Sequence, residues 1–211
     1  MANLVTLARL VLLFGLVVAA YRLPPAWQAA NAALILVIML LDAVDGYIAR
    51  ARGEETLFGA VFDIAVDRVV ENVVWIVFAH LGLVPVWVAI VFVARGSVVD
   101  SVRAVAVNRG ETPFGMMRSR LGRFLVVGRL MRGSYNGVKA AAFTGIFLAR
   151  AGPALAPELW VEWQAAIGTV MVALVHAAVA MCLLRGLPVI VEFAVVRRDL
   201  FMPRLAHEAA E

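Results

Sequence analysis

The sequence predicts an all-α integral membrane protein with six transmembrane helices, and three observations carry that reading. The 211 residues are 64% hydrophobic and only 16% charged, against the roughly 45–50% apolar content of soluble domains. The apolar residues fall into long runs without strand alternation, each near the ~20 residues that cross ~30 Å of hydrocarbon. Basic residues gather at alternate ends of those runs.

In chain order the runs are 4–21, 28–49, 57–80, 84–107, 135–149 and 164–184. Each is read as a helix, because a spanning segment finds no water for its backbone groups and must pair them internally. The first run lacks the basic leader and cleavage site of a signal peptide and is kept as a span. "RLPPAW" turns it into the second run, and the short "RARGEET" makes the second and third a hairpin. The fourth and fifth flank a loop, and "AGPALAPELW" leads into the sixth. Residues 1–185 are thus expected to form one membrane domain. Residues 186–211 are expected to form a cytoplasmic or interfacial tail, whose apolar stretch is too short to span.

Orientation follows from the arginines in short loops. Arg50, Arg52, Arg109, Arg118, Arg120, Arg123, Arg129, Arg132, Arg185, Arg197, Arg198 and Arg204 fall on one side, and Arg22 and Arg150 on the other. This places both termini in the cytoplasm of a multi-pass cell-membrane protein. The net charge of +4 fits contact with anionic lipid. No compact basic region with interleaved aromatics is present to track a nucleic acid. Cys182 is the single cysteine, which rules out an intrachain disulfide. His80, His176 and His207 have no second ligand at metal-binding spacing and are read as packing, interfacial and tail residues.

Against this apolar background, residues 40–75, "LLDAVDGYIARARGEETLFGAVFDIAVDRVVENVVW", hold four aspartates. Helical positions i, i+3, i+4 and i+7 share a face, so Asp42, Asp45, Gly46 and Ala49 form one stripe on the second helix. Gly59, Asp63 and Asp67 form another on the third. A hairpin can turn both stripes toward one small volume, and the small residues let a ligand or a neighbouring helix approach. Clustered carboxylates disfavour one another's ionised forms. Hard divalent cations such as Mg²⁺, Mn²⁺ or Ca²⁺ are their natural compensation. Two other uses of intramembrane aspartate stay open at this point: pairing with Arg68, Arg95 or Arg103, and an ion or proton path in a transporter.

The complete string, DxxDGxxARx8GxxxDxxxD over residues 42–67, resembles the signature of the CDP-alcohol phosphotransferase family. The resemblance implies a polar cavity open to the cytoplasm in which a phosphatidyl group passes from CDP-diacylglycerol to a small polar alcohol, with release of CMP. It implies two divalent cations, Mg²⁺ or Mn²⁺, held by Asp42, Asp45, Asp63 and Asp67, with Asp67 also the general base. It implies donor contacts from Gly46, Ala49, Arg50, Thr56 and Gly59. Asn3 and Thr6 of "ANLVTLAR" join them, because that stretch resembles the family's Asn-x-x-Thr entry to the first helix. A homodimer is a further implication.

For the acceptor, an Arg fork or a Lys suits a phosphorylated alcohol. Arg103, Arg109, Arg118, Arg132 and Lys139 fall on or near the cytoplasmic ends of the fourth and fifth runs. "GRLMRGSYNGVKAAAF" resembles the Gly and Lys pattern of phosphatidylglycerophosphate synthases, although Ala and Phe stand at 140–143 in place of their Thr and Gln. Glycerol 3-phosphate is the expected acceptor, with inositol phosphate and then serine as alternatives. Arg68 and Glu71, at i and i+3, are expected to pair and to orient Asp67 from behind.

Overall fold

The computed structural model describes residues 2–52, 57–107 and 119–196, with backbone only at 2–3, 43–52, 57, 58, 60, 106, 107 and 196. Among them all regular structure is helical. The long helices are α1 (Ala2–Arg22), α2 (Gln28–Arg52), α3 (Leu57–His80), α4 (Val86–Val107), α6 (Arg129–Leu155) and α7 (Pro157–Val196). A short α5 (Arg120–Gly122) leads into a π-type turn at Arg123–Val127.

Three segments among the described residues are long and apolar enough to cross a bilayer: Leu4–Arg22, Pro25–Asp42 and Pro157–Val195. The other long helices have the length but carry more charge or polarity. α3 holds Asp63, Asp67, Arg68 and Glu71 within its first four turns, and α4 holds Arg95, Asp100 and Arg103. α7, with 40 residues, extends ~60 Å at 1.5 Å per residue, about twice the hydrocarbon thickness. It continues through Gly186 and Pro188 to Val196.

The chain divides into two compact units. The first comprises Met1–Phe92 and Asn136–Val179. Its α1 packs against α2 and α3, and the corner between α1 and α2 is built from sequence. Pro24 and Pro25 cannot continue a helix from α1, and Pro25 opens a 3-10 turn ahead of α2. Gln28, fully buried, donates from Nε2 to the Leu23 carbonyl at 2.9 Å and to the Ala20 carbonyl at 3.5 Å. Asn31 in turn donates to Gln28 Oε1 at 2.8 Å. These bonds satisfy carbonyls that the end of α1 leaves open and fix the register of α1 against α2. Gln28→Leu should therefore lower stability by about 1–3 kcal/mol, the cost of orphaned buried polar groups. Thermal unfolding in detergent measures it, and an unchanged midpoint would show that the corner does not depend on these bonds.

The first unit also holds an aromatic core. Trp75 stacks on Phe92 with ring centres 4.8 Å apart and meets Phe143 edge-on at 4.8 Å, while Phe78 meets Phe147 at 4.9 Å. Lipid-core packing gives little hydrophobic advantage over contact with lipid tails, so shape-specific ring contacts of this kind help set which helices associate. At the other end of α3, His80 packs its ring edge-on against Tyr21.

The second unit comprises Val93–Tyr135 and Ala180–Glu211. Val99, Val126 and Val189 form its buried core. Ser119 caps α5 by accepting from the Gly122 N–H at 2.9 Å. Glu192 accepts from both the backbone N–H, at 3.0 Å, and the hydroxyl of Ser119. Arg185 lies over the Tyr135 ring, 5.4 Å from its centre, and donates to the Val126 carbonyl at 3.4 Å.

Candidate active site

Three of the four aspartates have described side chains, and α2 and α3 bring them together. Carboxylate oxygens of Asp42, Asp63 and Asp67 lie within 4.8 Å of one another. The hairpin delivers them as the helical spacing predicts. What the spacing did not reveal is the group at their centre: Arg9 of α1, 2% exposed. Its Nη1 is 2.8 Å from Asp42 Oδ1 and 3.0 Å from Asp63 Oδ1, and its Nη2 is 2.5 Å from Asp67 Oδ1. A planar guanidinium offers several donors in a fixed fork and suits such multiple pairing better than an ammonium would. Among the described residues, the cation paired with all three carboxylates comes from the first helix, while Arg68, one of the partners considered from sequence, pairs with Glu71.

The four groups together carry a net charge of −2, since Arg9 offsets one of three carboxylates. Two oxygens bound to one divalent cation at 2.0–2.6 Å lie at most about 4–5 Å apart. A spread of no more than 4.8 Å is therefore within what a shared ion requires. Hard-oxygen donors, residual negative charge and spacing all fit a metal ion. Exposure rises from Asp42 (28%) through Asp63 (37%) to Asp67 (46%), so Asp67 has the most room for a substrate atom.

A cavity of about 280 Å³ adjoins the cluster and is lined in part by Arg9, Asp42, Asp67, Glu71, Asn136 and Lys139. Lys139 of α6 is one of the residues expected at an acceptor, and it sits here, paired through Nζ with Glu71 Oε1 at 2.9 Å. The other oxygen of Glu71 receives Arg68 Nη1 at 2.8 Å, the i, i+3 pair expected from sequence. Glu71 is 4% exposed and so anchors two cations beside Asp67. The Lys139 link and Asn136 are additions that sequence reading missed.

The remaining expected residues fall as follows. Thr6 is buried one turn before Arg9 on α1, and Gly59 is half-buried on α3 one turn before Asp63. Asn3, Asp45, Gly46, Ala49 and Arg50 belong to α1 and α2, but their side chains lie outside the described residues, as do Thr56, Arg109 and Arg118 entirely. Arg103 and Arg132 belong to the second unit, where Arg103 Nη1 stands 3.8 Å from Asp100 Oδ1.

Comparison with known proteins agrees with this geometry. A "CDP-diacylglycerol--glycerol-3-phosphate 3-phosphatidyltransferase" of Bacillus subtilis is 30% identical over 97 residues, covering 46% of this chain and 50% of that protein. A "Probable phosphatidylglycerophosphate synthase" of Mycobacterium tuberculosis is 30% identical over 116 residues, 54% of this chain and 56% of the relative. A "Phosphatidylinositol phosphate synthase" of Mycobacterium marinum is 29% identical over 103 residues, 46% and 44% respectively. The chain thus spans about half the length of the curated relatives it matches. Residues 1–191 match the CDP-alcohol phosphatidyltransferase family as a whole. With nine-tenths of its length matched and Asp42, Asp63 and Asp67 of its signature converging on one point, the chain belongs to the CDP-alcohol phosphatidyltransferase family.

Proposed function

We propose that this protein transfers the phosphatidyl group of CDP-diacylglycerol to glycerol 3-phosphate at the cytoplasmic face of the membrane, releasing CMP. The observation that carries the proposal is the convergence of Asp42, Asp63 and Asp67 around Arg9 beside a cavity that also contains Lys139.

Asp42, Asp45, Asp63 and Asp67 would hold Mg²⁺ or Mn²⁺. Bound there, such ions neutralise a diphosphate and stabilise the departing CMP. The protein's own groups supply the rest. Arg9 holds three carboxylates in one orientation from a buried position, so little reorganisation is needed when charge develops. Asp67, the most open of the three, takes the proton of the acceptor hydroxyl. The acceptor oxygen then bonds to the β-phosphorus, the bond from that phosphorus to the CMP oxygen breaks, and CMP leaves with the electron pair. Asn3, Thr6, Gly46, Ala49, Arg50, Thr56 and Gly59 are assigned to the donor.

Lys139 is assigned to the phosphate of the acceptor, because its ammonium reaches the cavity shared with Asp67 while Glu71 fixes its position. Arg103, Arg109, Arg118 and Arg132 are further candidates for that phosphate. Lys139→Ala should raise the Michaelis constant for the acceptor about tenfold, the worth of one charged hydrogen bond, and leave that for CDP-diacylglycerol unchanged. Glu71 keeps Arg68 in the variant, so the fold should survive. Equal rises for both substrates in steady-state kinetics would move Lys139 out of the acceptor site.

Inositol phosphate is the second reading, favoured by the Mycobacterium marinum relative's name. Both acceptors present a phosphate to Lys139. Purified protein given CDP-diacylglycerol and a panel of glycerol 3-phosphate, inositol phosphate and serine separates them by product. A phosphatidylglycerol phosphate product supports the first reading; turnover with serine alone would remove the reason for a cationic acceptor site.

A further inference from the structure

The first unit contains a second cavity, of about 510 Å³, lined among others by Arg150, Trp160, Gln164, Gly168, Met171 and His176. It is separate from the catalytic cluster: Arg150 follows Lys139 on α6 by three turns, ~16 Å along the helix axis. Its size falls within the ~300–1,000 Å³ of small-molecule sites. The cavity borders a close helix contact. On α6, a methyl group at Gly145 would come within 2.7 Å of Met171 sulfur, and one at Gly152 within 2.2 Å of the Trp160 ring. These two glycines, two turns apart on one face, let α7 approach α6.

Arg150 is the only charged residue in the lining. Its Nη1 is cut off from solvent and makes no hydrogen bond, and among the described residues no ion pair is made by Arg150. A guanidinium N–H in that position calls for an acceptor, and the charge calls for an anion. The rest of the wall is mostly hydrocarbon, including Leu83, Ile146, Ile167 and Val175, which would suit a free soluble anion poorly.

The surroundings identify the occupant. α7 presents Leu159, Val161, Trp163, Val170 and Val172 as exposed residues and is one of the segments able to cross a bilayer. Trp160 lines the cavity, and Trp87 packs against His176 of its wall with ring centres 5.7 Å apart. Indole rings concentrate at the headgroup level of membranes. A half-buried cation at that level, opening onto an apolar trough, matches a phosphodiester joined to an acyl chain.

We infer that this cavity binds an anionic membrane phospholipid, its phosphate on Arg150 and one acyl chain along the trough between α6 and α7. The inference is independent of the proposed reaction, since nothing in it uses the aspartates.

Native mass spectrometry of the full chain, purified in detergent and titrated with phosphatidylglycerol, tests it. The wild type should retain a bound phosphatidylglycerol, and Arg150→Gln should weaken retention about tenfold, the worth of one charged hydrogen bond. Arg150→Lys should recover part of it. Gly168→Leu should block retention by filling the trough. A Cβ at Gly168 meets no atom within 4 Å, so that variant keeps its backbone in place and decides the question even where Arg150→Gln fails to fold. Retention at wild-type strength in Gly168→Leu would overturn the site. Displacement of the lipid by millimolar inorganic phosphate would overturn the phospholipid as its occupant.

Discussion

Asp67→Asn should slow CMP release by about 10²–10⁴-fold, the usual contribution of a positioned general base, while CDP-diacylglycerol still binds. Asparagine keeps the shape of the side chain and retains a carbonyl oxygen that can accept from Arg9 Nη2, which now lies 2.5 Å from Asp67 Oδ1. The arrangement of Asp42 and Asp63 around Nη1 should therefore survive. What the variant loses is the ability to take a proton at the most open of the three acidic positions. Release of CMP measured beside equilibrium binding of the CDP-lipid separates the two effects. Turnover at the wild-type rate would remove Asp67 from the proton's path.

Arg9→Met should destabilise the protein by about 3–5 kcal/mol, the range for breaking a buried ion pair from one side, and should stop turnover as well. The replacement keeps an unbranched apolar stem in a position that is 2% exposed but leaves three carboxylates within 4.8 Å without their guanidinium. Like charges at that separation disfavour one another's ionised forms. Added Mg²⁺ should recover part of the lost stability, because a divalent cation can take over the compensation. Arg9→Lys should fall between the two, since an ammonium retains the charge without the planar fork. Thermal unfolding in detergent with and without Mg²⁺ is the measurement. An Arg9→Met protein as stable as the wild type would mean the ion pairs do not hold α1 to the hairpin.

The helices and the carboxylate cluster were legible because both are local patterns. Runs 57–80 and 28–49 coincide with α3 and most of α2 because hydropathy and helical pairing begin at the same turns. The match loosens where polar residues continue a helix beyond its apolar stretch. α6 begins at Arg129 rather than 135, and α7 runs from Pro157 to Val196 rather than over 164–184. Asp42 and the Asp63–Asp67 pair could be placed on helix faces by counting, and so could the Arg68–Glu71 bridge.

Arg9 could not be found in that way. Its partners Asp63 and Asp67 are 54 and 58 residues distant, and a single arginine in an apolar run has no periodic companion to reveal its direction. The signal available was a matter of charge: four aspartates require a nearby cation, and Arg9 is the one arginine within the first run. Glu71 was similarly half legible. Its bond to Arg68 follows from spacing within α3, whereas its bond to Lys139 joins α3 to α6 and depends on how those helices pack.

CMP release from CDP-diacylglycerol and glycerol 3-phosphate shows whether the aspartate cluster carries a metal-dependent phosphatidyl transfer. In Mg²⁺ or Mn²⁺ the purified protein should form CMP and phosphatidylglycerol phosphate in equal amounts. Excess chelator should stop both, and returned Mg²⁺ should restore them. CMP release that continues undiminished in excess chelator would rule out a metal-dependent transfer at these aspartates.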